Sequence, residues 1–152
     1  AAAALEFGSQ FIVVSLDARR EADGVVRLTS HGGRRATGVD ALDFARRMAE
    51  TGAGELLLND MDRDGTGDGF GVALLRQVSD AVDIPIIASG GAGSPADFVA
   101  AVQQGGADAV LAASVFHDGV LSIDDVKAAM AAAGVPVRRS RPAQPAQPGG
   151  TA

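Results

Sequence analysis

Asp17 closes the apolar run FIVVSL. A carboxylate there can take or give a proton, more readily if partial burial raises its pKa, and can equally end a strand by accepting from nearby amides. The run ELLLN leads into DMDRDGTGDG, which gathers Asp60, Asp62, Asp64, Gly65 and Thr66. One of Asp62 and Asp64 is expected to face a substrate. Gly65 permits a positive φ or a close backbone approach, and Thr66 adds a hydroxyl beside exposed amides. An acidic, glycine-bearing run also suggests a calcium loop. Its spacing departs from the EF-hand pattern, however, and no glutamate closes it. A plain turn remains the alternative.

The run PIIAS ends in GGAGS, so that Ser89, Gly90, Gly91 and Gly93 precede a helix start. Consecutive glycines after a strand expose N–H groups that suit a phosphate. The spacing is not GxGxxG, so a dinucleotide-binding fold is poorly supported. Ser114 follows the run AVLAA and can complete the same cup, because barrels frequently build a phosphate site from the loops after their last two strands. His31 and His117 are the only histidines. They stand far apart in the chain with no Ser or Cys nucleophile arranged nearby, and neither is assigned a catalytic or metal-binding role. Neither a metal nor a cofactor is expected. Glu55 opens its strand at the opposite mouth and reads, from position alone, as a solvated or ion-paired residue.

Elements must position these groups. The spacing predicts strands at Phe11–Leu16, Glu55–Asn59, Pro85–Ser89 and Ala109–Ala113, each followed by a helical stretch. Leu42, Ala45, Met48 and Ala49 share one face of a helix over Asp40–Thr51 that stops at Gly52. Leu74, Leu75, Val78 and Val82 do the same over Val72–Val82. Ser94-Pro95 opens a third helix, which stops at Gly105-Gly106, and Ser122 with Asp125 opens a fourth, which stops at Gly134. The excursion between Arg19 and Thr37 contains Val25–Thr29 as a small strand or hairpin arm, with a bend at Gly32-Gly33. The order β-α-β-α-β-α-β-α is that of a parallel sheet. The fold class is therefore α/β. A (βα)8 TIM barrel needs eight strands and about 250 residues, so four βα units with parallel strands amount to half of one. The half-barrel is expected over residues 1–139. A disordered Pro/Gly/Arg-containing tail is expected over residues 140–152. An open flavodoxin-like sheet is permitted by the strand count but not favoured by the motifs.

Composition narrows the function class. The 152 residues are 47% hydrophobic, with no Cys, Trp or Tyr. That aliphatic interior suits parallel strands covered by helices. The absence of cysteine excludes disulfides and thiolate chemistry and fits a reducing compartment, so a cytoplasmic location is expected. No apolar run reaches the roughly 18 residues of a membrane span, and Ala1–Leu5 lacks the length and basic leader of a signal peptide. The first residue is not Met, as expected of a processed chain or a fragment. A net charge of −6 speaks against a nucleic-acid partner. It leaves a phosphorylated substrate open, since backbone amides hold phosphate without help from net charge.

The motifs together resemble a known family. IIASGGAG followed by GADAVLAASVFH is similar to the last two strands of the cyclase subunit of imidazole glycerol phosphate synthase, an enzyme of histidine biosynthesis. LLLNDMDRDGTGDGF resembles its sixth strand and loop, VVSLDARR its fifth strand, and HGGRRATG the loop between them. The sister isomerase shares the RDGT and SGG pieces, but ASVFH favours the cyclase. The likeness runs from about Phe7 to Arg138 and implies strands five to eight of the barrel. It implies a carbon–nitrogen lyase that takes ammonia from a glutaminase subunit. The reaction converts a phosphoribulosyl aminoimidazole carboxamide ribotide into imidazole glycerol phosphate and aminoimidazole carboxamide ribotide. By resemblance Asp17 is the catalytic aspartate of the fifth strand. Asp64, Gly65 and Thr66 form the substrate loop, and Ser89, Gly90, Gly91, Ala113 and Ser114 the pocket for the glycerol-side phosphate. Gly32 and Gly33 lie in a mobile loop, and the likeness raises Glu55 to a charged position near the ammonia entrance.

Departures from the family pattern matter as well. Its second catalytic aspartate lies on the first strand and its second phosphate site on the third and fourth, outside the matched segment. Asp60 stands where a small residue is usual, and Gly71 where the family often has Asp. Phe11 fills a strand position that is commonly smaller and is expected to pack in the core. The chain is thus expected to need a complementary N-terminal half-barrel, or to self-associate, and to be inactive alone. The alternative is a non-catalytic phosphate-binding half-barrel.

Overall fold

Four parallel strands form the centre of the sheet in the computed structural model, which describes residues 1–138. They are β1 (Val13–Arg20), β4 (Glu55–Asp60), β5 (Ile86–Ser89) and β6 (Ala109–Val110). β2 (Val26–Ser30) and β3 (Arg35–Asp40) form an antiparallel hairpin beyond β1, giving the order β3-β2-β1-β4-β5-β6. The chain is α/β with half the parallel strands of a (βα)8 barrel. The tail expected at residues 140–152 lies outside the described residues.

Helices cover one face only. After α1 (Ala2–Phe7), α2 (Ala41–Glu50) follows the β1–β3 segment, α3 (Val72–Ser79) follows β4, α4 (Pro95–Gln103) follows β5, and α5 (Ser114–His117) and α6 (Ile123–Ala132) both follow β6. Their starts follow from capping chemistry. Asp40 Oδ1 accepts from the Leu42 and Asp43 amides at 2.9 and 3.0 Å, and Ser122 Oγ accepts from Asp125 N at 3.1 Å. At α4, Asp97 Oδ2 accepts from Gly93 N at 3.0 Å and Ser94 N at 2.7 Å ahead of Pro95. Alternate strand residues Leu16, Leu56, Leu58, Ile86 and Ala88 turn toward these helices and are almost fully buried beside Ala45, Leu74, Val78 and Phe98.

The opposite face carries Val13, Ser15 and Asp17 of β1 and Glu55, Leu57 and Asn59 of β4. It stays partly open, and Val13 is 50% exposed. Parallel sheets are normally covered on both faces, so this is the inner face of an unfinished barrel.

Five sequence expectations need correction. β1 starts at Val13, because Ser9–Phe11 forms a single 3-10 turn, and Phe11 is 73% exposed rather than packed in the core. β1 also continues past Asp17 to Arg20, since Ala18–Arg20 pair with β2. Residues 35–37, expected in a loop, belong to β3, which is held by its pairing with β2 although its first four residues are exposed. β6 ends at Val110 rather than Ala113, because among the described residues it pairs with β5 alone, through Ala109 and Val110.

Candidate active site at the carboxyl ends of the strands

The parallel ladder sets one row of polar side chains across three strands. Asp17 is in register with Asn59, and Asn59 with Ser89, so all three project from the open inner face. Asn59 Nδ2 stands 3.5 Å from Asp17 Oδ1 and 3.3 Å from Met61 Sδ. Asn59 Oδ1 is buried with no hydrogen-bond partner among the described residues. The sequence had offered Asn59 only as the end of a strand. The signal was its position, a polar residue closing an apolar run in step with Asp17. Two strand spacings separate Asp17 from Ser89, about 10 Å.

Beside Ser89 lies a pocket of about 200 Å³ lined by Asp64, Gly65, Ser89, Gly90, Gly91, Ala113 and Ser114, with Ala92, Leu111 and Ala112 completing its wall. Seven of the residues expected to hold substrate therefore converge, from the loops after β4, β5 and β6. Among the described residues no lysine or arginine lines the pocket. An anion in it would rely on backbone N–H groups and on the Ser89 and Ser114 hydroxyls.

The loops reach this shape by backbone contact. Gly69 N donates to Gly91 O at 2.7 Å, and a Cβ on Gly91 (φ 104°) would fall on the Gly69 carbonyl oxygen. Position 91 therefore admits no side chain. Gly65 (φ 77°) has open space around its Cβ direction, so there only the left-handed backbone asks for glycine. Each loop is also tied to one aromatic cluster. The Phe98 ring meets Phe70 at 5.4 Å, nearly edge-on, and Phe116 at 5.8 Å. Phe70 follows the β4 loop, Phe98 sits in α4 after the glycine loop, and Phe116 is in α5 two residues after Ser114.

Other expected site residues lie apart from the pocket. Thr66 Oγ1 donates to Arg63 O at 2.8 Å and accepts from Asp68 N at 3.1 Å, so its hydroxyl folds its own turn and does not line the pocket. Asp62 turns away: its Oδ2 accepts from Arg20 N at 2.8 Å and its Oδ1 is 3.6 Å from Arg19 Nε. That leaves Asp64 as the acidic residue of this loop in the pocket. Gly32 and Gly33 make the turn between β2 and β3 with His31, all at positive φ. A Cβ on Gly33 would touch Met61 Cε, so this turn rests on the β4 loop. Glu55 stands at the other end of β4, on the same side as Leu57 and Asn59 and about 13 Å from Asn59 by strand rise.

Asp60 sits at the edge of this arrangement. Burial raises its carboxyl above the ordinary Asp value, and the amide of Asp62, donating to Oδ1 at 3.1 Å, offsets part of that. The two positions that depart from the family pattern are neighbours, for a Cβ on Gly71 would fall on Asp60 Oδ2. Among the described residues no helix is long and apolar enough to cross a membrane.

Comparison with known proteins gives the chain's relatives. A family model described as histidine biosynthesis protein matches residues 1–122. The imidazole glycerol phosphate synthase subunit HisF of Hyphomonas neptunium is 56% identical over 137 residues, 90% of this chain and 54% of that protein. The subunit of the same name from Streptomyces griseus is 56% identical over 132 residues, 87% of this chain and 52% of that protein. The chain spans about half the length of the curated relatives it matches.

Proposed function

The chain belongs to the histidine biosynthesis protein family, and on that premise we propose that it supplies the C-terminal half of the cyclase site of imidazole glycerol phosphate synthase. The observation that carries this reading is the convergence of Asp64, Gly65, Ser89, Gly90, Gly91, Ala113 and Ser114 on one pocket, two strands from Asp17. The glycerol-side phosphate takes the pocket, where amides and hydroxyls neutralise it. Asp64 at the rim accepts from the hydroxyls of the attached carbon chain, a role that suits a carboxylate better than contact with a phosphate. That chain spans the roughly 10 Å to Asp17. Asp17 moves protons at the carbon and nitrogen centres where ammonia enters and the imidazole ring closes, with Asn59 fixing its carboxylate.

The remaining assignments rest on the same reading. Ammonia arrives from a glutaminase subunit at the Glu55 end and passes Leu57 to reach Asn59. Thr66 serves the substrate by holding the β4 loop in shape, and Gly32-Gly33 by letting the hairpin turn close over Met61. The open inner face, with Val13 and Leu111 exposed at 50% and 44%, receives a complementary N-terminal half-barrel or a second copy of this chain. A cysteine-free composition supports the cytoplasm as the compartment.

The test mixes this chain with an N-terminal half that carries the other catalytic aspartate and supplies ammonium. Turnover in the mixture and none in either half alone is the expected result. Phosphate binding without turnover in the mixture would favour the non-catalytic module instead.

A further inference from the structure

Asp60 follows directly on Asn59, yet its side chain takes no part in the pocket. It stands between three segments. Its Oδ1 accepts from Asp62 N at 3.1 Å, and its carbonyl oxygen accepts from Arg63 N at 3.1 Å and Asp64 N at 2.9 Å. A Cβ on Gly90 would come within 2.7 Å of that same carbonyl oxygen. The other carboxylate oxygen occupies the space of a side chain at position 71, where α3 begins with no side-chain cap.

The backbone of Gly71 gives no reason for glycine. Its φ of −73° and ψ of 69°, with Val72 N donating to Phe70 O at 2.8 Å, form an inverse γ-turn open to any L residue. What excludes a side chain at 71 is the Asp60 carboxylate. We infer that Asp60 is a positioning residue, wedged between the start of α3 and the Asp62–Asp64 turn so that Asp64 and Gly65 face the pocket. This rests on the pocket being the phosphate site proposed above.

The test is a double-mutant cycle on the full chain, with inorganic phosphate as probe and the amide resonances of Asp62, Arg63 and Asp64 as a second readout. Asp60→Ala should weaken phosphate about tenfold and move those amides, while Asp60→Asn, which keeps the volume and the Oδ1 acceptor, should stay within about twofold. Gly71→Ala should weaken phosphate in the Asp60 background and change it by less than about twofold once Asp60 is Ala. Equal effects of Gly71→Ala in both backgrounds, or amides indifferent to Asp60→Ala, would overturn the inference. Should Asp60→Ala fail to fold, Asp60→Ser takes its place in the cycle. If the wild-type chain bound no phosphate, the pocket reading would fall, and the amide shifts would still decide the role of Asp60.

Discussion

Asn59 Nδ2 reaches toward Asp17 Oδ1 across the β1–β4 ladder, 3.5 Å away, while its own Oδ1 is buried without a partner among the described residues. The Nδ2 contact bears on where the Asp17 carboxylate points, and a misaligned acid–base group loses rate. Asn59→Ala should therefore lower turnover of a reconstituted barrel about 10- to 100-fold through loss of alignment of Asp17. Asn59→Asp should instead raise the pKa of the carboxylate pair and move the acidic limb of the rate profile to higher pH. Rates measured against pH for both variants check this.

Gly91 and Gly69 pack backbone to backbone. Gly91→Ala should cost about 1–3 kcal/mol, from the positive φ and the contact with the Gly69 carbonyl. Gly91→Val should also abolish phosphate binding. Thermal melts and a phosphate titration followed by NMR read the two effects separately, and a Val variant that bound normally would remove the glycine loop from the phosphate site.

Phe98 joins the three pocket loops from behind, with Phe70 on one side and Phe116 on the other. Phe98→Ala should lose about 3–5 kcal/mol in denaturant unfolding, and Phe98→Leu markedly less. Phosphate should weaken in both variants even where the chain remains folded, because the loops share this anchor.

The raised pKa of Asp60 carries a sign that can be tested. A carboxyl whose folded value lies above its unfolded value binds more protons in the folded state between the two. Its contribution to stability therefore falls as pH rises through that window and stays lower above it. Asp60→Asn removes the dependence. The stability of the variant minus that of the wild type should grow as pH rises from the ordinary Asp value of 3.8 toward neutral, and then level off. Urea titrations of both proteins across that range measure it, and a difference that shrank with pH would contradict it.

Much of this arrangement was legible in the sequence, where local chemistry and tertiary context agree. ELLLN and PIIAS alternate correctly for strands under helices, and Ser94 and Ser122 stand at the N-caps of α4 and α6. β3 was not legible, because Arg35–Gly38 is exposed throughout and is held by pairing with β2 rather than by an apolar pattern. β6 read too long, because apolar residues Leu111–Ala113 line the pocket instead of extending a ladder. The choice between Asp62 and Asp64 depended on the backbone N–H of Arg20, far away in sequence. The contact between Asp60 and Gly71 likewise exists only once the β4 loop has closed on α3.

Asp17 is the one carboxylate in the inner-face row with Asn59 and Ser89, and the proposed half-site stands or falls with it. Asp17→Asn keeps the size of the side chain and its hydrogen-bonding shape while removing the basic site. The decisive measurement is ammonia-dependent turnover of the mixed halves, wild type against Asp17→Asn, with substrate binding followed in parallel. General acid–base help is worth about 10² to 10⁴-fold, so turnover should fall by that range while binding stays close to wild type. Near-normal turnover by the Asn variant, or turnover by this chain unmixed, would contradict the half-site.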